Sequence, residues 1–245
     1  MDARRRACLE AMGIRRWVLR EDEAPALAVP GADSAPSPSP VAPESPAPPD
    51  PAGAGLIETM DWDELRAEVL ACRRCGLAET RTQAVFGVGD PCADLLVIGE
   101  APGADEDRLG EPFVGRAGRL LTAMLYAIGL AREQVYIANI LKCRPPGNRD
   151  PRAEESLRCR SFLLRQIALV EPRLILAVGR VSAQNLLSTD APVGRLRGRV
   201  HSLPDAGAPV VVTYHPAYLL RSPEQKARAW EDLQQVYRLL RGGKA

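Results

Sequence analysis

Four short apolar runs, separated by stretches with helical spacing, constrain the fold of this 245-residue chain more than any other feature. Each run is almost free of polar side chains, which is typical of strands buried on both faces of a parallel sheet. Alternation of such strands with helices predicts an α/β fold with helices on both faces of the sheet. The predicted strands are residues 95–98, 135–138, 174–178 and 210–214, and the predicted helices are residues 118–128, 154–170, 182–187 and 223–241. A further helix is predicted to start near Asp61 and to lead into L-R-A-E-V-L-A-C.

The loops after the predicted strands carry polar side chains with catalytic potential. The carboxyl ends of parallel strands meet at one edge of the sheet, and ligands of open α/β sheets bind there. Glu100 follows the first strand, Asn139 follows the second, and His215, one of only two histidines, follows the last. A surface acid, a turn-forming amide and a structural histidine are the ordinary alternatives. The shared edge nevertheless predicts a polar ligand site.

A set of four cysteines predicts a metal or cluster site. Cys72 and Cys75 form a C-R-R-C pair, and Cys143 and Cys159 follow singly along the chain. Four thiolates hold either a structural zinc ion or a [4Fe–4S] cluster, and the spacing alone does not separate these two. Disulfides are disfavoured because the basic start of the chain lacks the apolar stretch of a secretory signal.

Motifs and charge exclude several functional classes. No apolar run approaches the roughly 20 residues of a membrane span, so we expect a cytoplasmic protein without membrane contact. The glycine-rich loop after the first strand has neither the G-K-[ST] of a phosphate loop nor the G-x-G-x-x-G of a dinucleotide fold.

Residues 1–20 carry a net charge of +4 and residues 21–55 a net charge of −6, which leaves a slightly basic remainder. Such a body is compatible with nucleic acid.

Composition divides the chain into three parts. Residues 24–55 are rich in Pro, Ala, Ser and Gly and contain few bulky apolar side chains, which predicts a disordered, partly polyproline II linker. Residues 1–23 precede this linker as a short amphipathic peptide that is too small to fold alone. The folded domain is therefore expected to span residues 56–245.

Several sequence blocks resemble the family 4 (type A) uracil-DNA glycosylases. The blocks are G-E-A-P-G, E-P-F-V-G-R-A-G-R-L-L, N-I-L-K-C-R-P-P-G-N-R and H-P-A-Y-L-L-R, and they occur in order with the four cysteines between about residues 65 and 240. The resemblance implies hydrolysis of the N-glycosidic bond of deoxyuridine in DNA, and we expect a monomer that associates with the nucleoid, although the sequence leaves the oligomeric state open. It also implies a three-layer αβα fold around a four-stranded parallel sheet. The implied cofactor is a [4Fe–4S] cluster, held by Cys72, Cys75, Cys143 and Cys159.

The same resemblance implies roles for residues at the sheet edge. His215 would stabilise the charge that develops on O2 of uracil, Asn139 would read the O4/N3 edge of the base, and Phe113 would stack on the flipped ring. The resemblance does not fix the group that orients the attacking water: the candidates are Glu100 and Glu106, and the alternative is that a sugar carrying positive charge needs little help from a base. The residues expected to enter the DNA are Leu219, Leu220 and Arg221.

Two positions depart from the family 1 enzymes of the same superfamily. Where those enzymes carry a water-positioning Asp this chain has Ala101, as is usual in family 4. Where they carry a Tyr that excludes thymine, it has Gly103. Both residues are expected in the uracil pocket. Glu106 is the candidate for the steric role of the missing Tyr.

A second resemblance concerns residues 4–20, which include Arg4, Arg5 and Trp17 and are similar to the N-terminal peptide of the psi subunit of the bacterial clamp loader. It implies that the peptide docks on the clamp loader and brings the enzyme to replication forks through the flexible linker. The structural alternative is a small helix that packs on the glycosylase body.

The functional alternative for the whole chain is a non-catalytic iron–sulfur DNA-binding adaptor, in which the motifs only maintain the fold.

Overall fold

The computed structural model describes residues 56–204 and 207–242. The predicted N-terminal peptide of residues 1–23 and the predicted linker of residues 24–55 lie outside the described residues. Within the described part of the chain, no helix is both long and apolar enough to span a membrane.

One twisted sheet forms the centre of the domain, and its middle four strands are parallel. The strands are β1 (Val88–Gly89), β2 (Leu95–Gly99), β3 (Tyr136–Asn139), β4 (Leu174–Val178), β5 (Val200–Ser202) and β6 (Pro209–Thr213). Their order across the sheet is β1-β3-β2-β4-β6-β5. The four predicted strands are confirmed as this parallel centre, since β3, β2, β4 and β6 pair in parallel.

The described sheet is wider than the four predicted parallel strands, because two antiparallel edge strands bring the total to six. β1 pairs antiparallel with β3 at one edge, and β5 pairs antiparallel with β6 at the other. Both edge strands are short, and neither is a buried apolar run, since exposed or half-buried residues make up β1 and β5. Short antiparallel edge strands of this kind lack the continuous hydrophobicity by which buried parallel strands are recognised.

Helices cover both faces of the sheet, as the αβα prediction requires. The α-helices are α1 (Trp62–Ala71), α2 (Leu77–Thr80), α3 (Ala104–Leu109), α4 (Arg116–Ala127), α5 (Ala153–Val170), α6 (Arg180–Leu187), α7 (Val193–Leu196), α8 (Pro216–Arg221) and α9 (Lys226–Arg241). Five helices predicted from the sequence are present: the one that starts near Asp61 is α1, and the other four are α4, α5, α6 and α9, with ends shifted by three residues or fewer. The helices α2, α3, α7 and α8 were not predicted.

Alternating side chains of the central strands divide the core into two layers. Leu96 and Ile98 of β2 pack with α5 and α6 on one face of the sheet. Leu95 and Val97 pack with α4 and α9 on the other. All four side chains are almost completely buried, and burial of each contributes about 1.5–3 kcal/mol to folding. This two-sided burial is what holds the carboxyl ends of the strands in a fixed arrangement.

The start of α1 shows why its sequence is helical. The carboxylate of Asp61 accepts hydrogen bonds from the backbone N–H groups of Asp63 at 3.0 Å and Glu64 at 2.9 Å. The carboxylate of Glu64 in turn accepts from the backbone N–H of Asp61 at 3.0 Å. This reciprocal capping box satisfies N–H groups that have no partner within the helix. The helix ends at Ala71, and Cys72 follows it as the C-cap residue.

Candidate active site

A cavity of about 760 Å³ lies at the carboxyl edge of the parallel strands. Residues that follow β2, β3, β4 and β6 contribute to its wall, as expected for the ligand-binding edge of an open α/β sheet. Eight of the residues predicted for the uracil pocket, the water and the DNA line this one cavity: Glu100, Ala101, Gly103, Glu106, Phe113, Asn139, His215 and Arg221.

His215 forms one wall of the cavity as a neutral imidazole. Its ring stacks on the ring of Phe113, with centroids 5.6 Å apart and an angle of 30° between the planes. Burial lowers the pKa of His215 to about 4, and the nearby Arg221 adds to this effect. The Nδ1 atom accepts a hydrogen bond from the backbone N–H of Ala217 at 3.1 Å. A neutral ring therefore carries its proton on Nε2, which is the arrangement of a hydrogen-bond donor.

Phe113 is held in an unusual backbone conformation by its surroundings. Its φ angle of 54° lies in the left-handed region, which is uncommon for a bulky residue. Gly118 of α4 lies directly beneath it, because a Cβ atom at that position would be 1.7 Å from the carbonyl oxygen of Phe113. The guanidinium of Arg132 also donates to the carbonyl of Pro112, the residue before Phe113. The contacts with Gly118 and at the Pro112 carbonyl therefore fix the backbone that carries the aromatic ring.

Glu106 uses both carboxylate oxygens to join two loops. One oxygen accepts hydrogen bonds from the backbone N–H groups of Val114 at 2.9 Å and Gly115 at 3.1 Å. The other oxygen accepts from the backbone N–H of Gly103 at 3.1 Å. Charge-assisted bonds of this kind are among the strong hydrogen bonds in proteins. They connect the loop after β2 to the loop that carries Phe113.

Asn139 presents an amide oxygen without a protein partner. The residue is only 2% exposed, and within the described residues its Oδ1 atom is buried and accepts no hydrogen bond. Leaving such an atom unpaired costs free energy, so its presence in a cavity wall points to a ligand. The opposite residue, Gly99, makes this possible, since a Cβ atom there would lie 2.4 Å from Oδ1 and 2.6 Å from the Phe113 ring.

Glu100 lines the cavity beside an ion pair. Burial, together with the negative charge of Asp150, raises the pKa of the Glu100 carboxyl to about 7, while the positive charge of Arg180 opposes the shift. Arg180 donates to the carboxylate of Asp150 at the rim of the same cavity. A carboxyl group with a pKa near neutrality exchanges a proton readily at physiological pH.

The predicted DNA-contacting residues occupy different environments. Leu219 is 1% exposed and packs into the apolar core between the sheet and α4. Its side chain faces the core from α8 in this structure, and its entry into DNA stays a prediction. Leu220 is 37% exposed, and Arg221 lines the cavity.

Other residues of the cavity wall were missed at the sequence level. They include Tyr214 and Tyr218, whose ring centroids lie 5.2 Å apart, together with Arg149, Asp150 and Arg180. The signal that could have revealed Arg180 is its position two residues after the predicted strand 174–178, at the same sheet edge. Arg149 and Asp150 approach through the loop between β3 and α5, and their proximity depends on the tertiary fold.

The four predicted cysteine ligands lie close to one another beside the loop that follows Asn139. Cys75, Cys143 and Cys159 pack against one small apolar cluster, and Cys72 borders the neighbouring cluster together with Cys159. Burial raises the pKa of Cys159 to about 12, so the isolated thiol is neutral. In the described residues, no three His, Cys, Asp or Glu side chains are gathered closely enough for a single metal ion.

Hydrogen-bond donors reach two of these sulfur atoms. A guanidinium nitrogen of Arg81 lies 2.8 Å from Sγ of Cys143. The backbone N–H of Lys142 points to Sγ of Cys159 at 3.4 Å. Donors of this kind stabilise thiolates and are typical of iron–sulfur sites. The donor set of four thiols with two supporting N–H groups is therefore chemically suited to a cluster.

Comparison with known proteins identifies the family. A model of the uracil DNA glycosylase superfamily matches residues 86–234. A type-4 uracil-DNA glycosylase of Archaeoglobus fulgidus is 44% identical over 180 residues, which cover 71% of this chain and 90% of the relative. Type-4 uracil-DNA glycosylases of Sulfurisphaera tokodaii and Pyrobaculum aerophilum are each 40% identical, over 72% and 71% of this chain and 84% and 92% of the relative, respectively. The chain therefore belongs to the uracil DNA glycosylase superfamily and shares the type-4 branch with these relatives.

Proposed function

We propose that this chain hydrolyses the N-glycosidic bond of deoxyuridine in DNA, releasing uracil and leaving an abasic site that starts base excision repair. The observation that carries the proposal is the convergence, in one cavity, of an aromatic ring, a neutral histidine and an unpaired amide oxygen. A base reaches such a cavity only after the nucleotide has turned out of the duplex, which costs a few kcal/mol.

Phe113 and Asn139 would recognise the flipped base. The Phe113 ring offers a stacking surface for the planar pyrimidine. The unpaired Oδ1 of Asn139 would accept the N3–H of uracil, and its Nδ2 would donate to O4. Cytosine has an acceptor at N3 and an amino group at C4, so it presents the opposite pattern. Asn139 would therefore discriminate against cytosine by leaving two buried polar groups unpaired.

His215 would stabilise the departing base. Negative charge develops on uracil O2 as the glycosidic bond breaks, and the Nε2–H of the neutral imidazole would donate a hydrogen bond to it. A donor fixed in advance by the Ala217 N–H and by stacking on Phe113 needs no reorganisation during the reaction. Preorganised donors of this kind are usually the largest single contribution to catalysis.

Glu100 is the better candidate of the two acids to orient or deprotonate the attacking water. Its pKa of about 7 suits a general base at neutral pH. Both oxygens of Glu106 are occupied by backbone N–H groups, so Glu106 would act as a positioning residue that holds the pocket loops together. The exposed Leu220 and the cavity-lining Arg221 would contact the DNA strand around the flipped nucleotide.

We expect His215→Ala to lower the rate of uracil excision by about 100- to 1,000-fold, because it removes the donor to O2. The measurement is single-turnover release of uracil from a uracil-containing oligonucleotide, followed by alkali cleavage of the abasic site. His201→Ala is the matched control, since His201 lies on β5 and its Nε2 contacts the carbonyl of Leu196. A native protein that binds the oligonucleotide without cleavage after alkali would favour the adaptor hypothesis instead.

The excision rate should rise with pH through about 7, because Glu100 must be ionised to act on water. His215 is neutral throughout this range and adds no change. Glu100→Gln should lower the rate by about 100-fold or more and flatten the pH profile, with exposed Glu224→Gln as the control. A Glu100→Gln enzyme that keeps the parent profile would rule out this role.

The same substitution should affect stability with a defined sign. Because the folded-state pKa of Glu100, about 7, lies above its ordinary value of 4.5, the native protein loses stability as pH rises from about 4.5 to about 7. Glu100→Gln should therefore raise the Tm relative to the parent at pH 8 and not below pH 4.5.

The four cysteines, Cys72, Cys75, Cys143 and Cys159, would hold a [4Fe–4S] cluster. Such a cluster keeps its four thiolates farther apart than one zinc ion does, which agrees with four cysteines that are neighbours but not gathered around one point. When bound, the cluster would supply a structural cross-link. The cysteines would tie the end of α1 and the start of α5 to the loop that follows Asn139.

Cys143→Ala should give a colourless and poorly soluble protein, because it removes the most buried of the four proposed ligands. Visible absorbance and the soluble yield are the measurements, and the exposed Cys92→Ala should retain both. Retained colour with normal stability in Cys143→Ala would contradict the assignment.

The N-terminal part of the chain would recruit the enzyme. In this proposal residues 1–23 are a docking peptide for the clamp loader, residues 24–55 are a linker, and residues 56–245 form the catalytic domain. The support is the sequence similarity of residues 4–20 alone. A peptide of residues 1–24 should capture clamp-loader subunits, and Trp17→Ala should abolish capture. Absence of binding at micromolar concentration would count against recruitment.

A further inference from the structure

Lys142 is a buried cation at the junction of the cavity and the cysteine site. The residue is 1% exposed, an unusual position for a lysine. Its Nζ atom donates to the backbone carbonyl of Asn139 at 3.0 Å and to Oε1 of Gln166. Its backbone N–H points to Sγ of Cys159. One residue therefore contacts the strand end that carries the base-reading amide and one of the proposed cluster ligands.

Two residues of helix α5 contact Lys142: Sγ of Cys159 lies near the Lys142 backbone N–H, and the side chain of Gln166 accepts from the Lys142 ammonium. Cys159 and Gln166 are seven residues apart on α5, which places them about two turns apart on the same face. Gln166 is fully buried, and its amide nitrogen donates to the carbonyl of Phe86 at 2.9 Å and lies 3.2 Å from the hydroxyl oxygen of Tyr136. These bonds fix the amide so that its oxygen faces the Lys142 ammonium.

The Asn139 carbonyl needs such a donor because the strand ladder ends at this point. The pairing of β1 with β3 stops at Ile137. On the other side, the N–H groups of Ile140 and Leu141 bond to the carbonyls of Gly99 and Glu100, both at 3.0 Å. The Lys142 ammonium takes the carbonyl that remains, and so it sets the orientation of the peptide group after Asn139.

We propose that Lys142 is a positioning residue for uracil recognition, which acts through Asn139 by fixing the backbone from which the base-reading amide projects. The inference rests on the proposed glycosylase function. It differs from a purely structural role, in which the ammonium would only stabilise the fold. If Lys142 only stabilised the fold, its replacement would affect the protein equally with and without the Asn139 amide. If Lys142 positions Asn139, the effect of its replacement on excision disappears once that amide is removed.

A double-mutant cycle separates these roles. Single-turnover uracil excision is measured for the parent, Lys142→Met, Asn139→Ala and the double variant, all well below their Tm. We expect Lys142→Met to slow excision by about 10- to 100-fold in the parent background, because small misplacements of a recognition group have effects of this size. In the Asn139→Ala background, the same change should cost about threefold or less. Equal losses in both backgrounds would overturn the proposal.

Binding of free uracil gives a second measurement that does not depend on catalysis. Uracil should raise the Tm of the parent by binding the folded state, and the shift should be lost in Lys142→Met. Val236→Ala is the control, since it creates a cavity in the core beneath α9 and should lower the Tm while keeping the uracil shift. An unchanged uracil shift in Lys142→Met would also overturn the proposal.

Gln166→Met provides an independent route if Lys142→Met fails to fold. It leaves the bond between Lys142 and Asn139 in place and removes the other anchor of the ammonium. Gln166→Met should slow excision less than Lys142→Met does, and it should not slow excision in the Asn139→Ala background. A loss of rate that persists in that background contradicts the proposal. A parent protein that releases no uracil would refute the glycosylase function itself, which is a different outcome from an additive cycle.

Discussion

The parallel pairing of β2 with β3 is the interaction on which the site depends. It sets Gly99 opposite Asn139 at the last position of the ladder. Because Gly99 has no Cβ atom, the amide of Asn139 and the ring of Phe113 occupy the space that a side chain would fill. A slip of one residue would turn Asn139 to the other face of the sheet and separate it from Phe113. The buried apolar residues on both faces of β2 hold the register in place.

Two glutamates that follow β2, Glu100 in the loop and Glu106 in α3, have different surroundings. Glu106 is surrounded by backbone N–H groups, which bind both of its oxygens and make it a link between loops. Glu100 lies six residues earlier, beside another carboxylate in a partly buried wall, and its pKa is raised to about 7. Environments that separate the properties of neighbouring carboxyl groups are the usual basis for assigning acid–base roles.

The cysteine site and the cavity share one short segment of chain. Asn139 belongs to the cavity wall, Cys143 packs with the other cysteines, and Lys142 lies between them with bonds in both directions. A cross-link through Cys143 would therefore limit the movement of the segment proposed to read the base. This arrangement explains how a cluster without a redox role could still influence recognition.

The sequence by itself determined the four central strands, the longer helices and the candidates Glu100, Asn139 and His215, because buried parallel strands are apolar throughout and their carboxyl ends must share an edge. Local patterns did not reveal the edge strands β1 and β5, which are too short and too exposed to leave a signal. Only the tertiary structure decided which side chains face the cavity: it buried Leu219 in the core and turned both oxygens of Glu106 toward backbone N–H groups. The direction of a side chain and its partners depend on residues that are distant in the chain, and sequence spacing carries no information about those contacts.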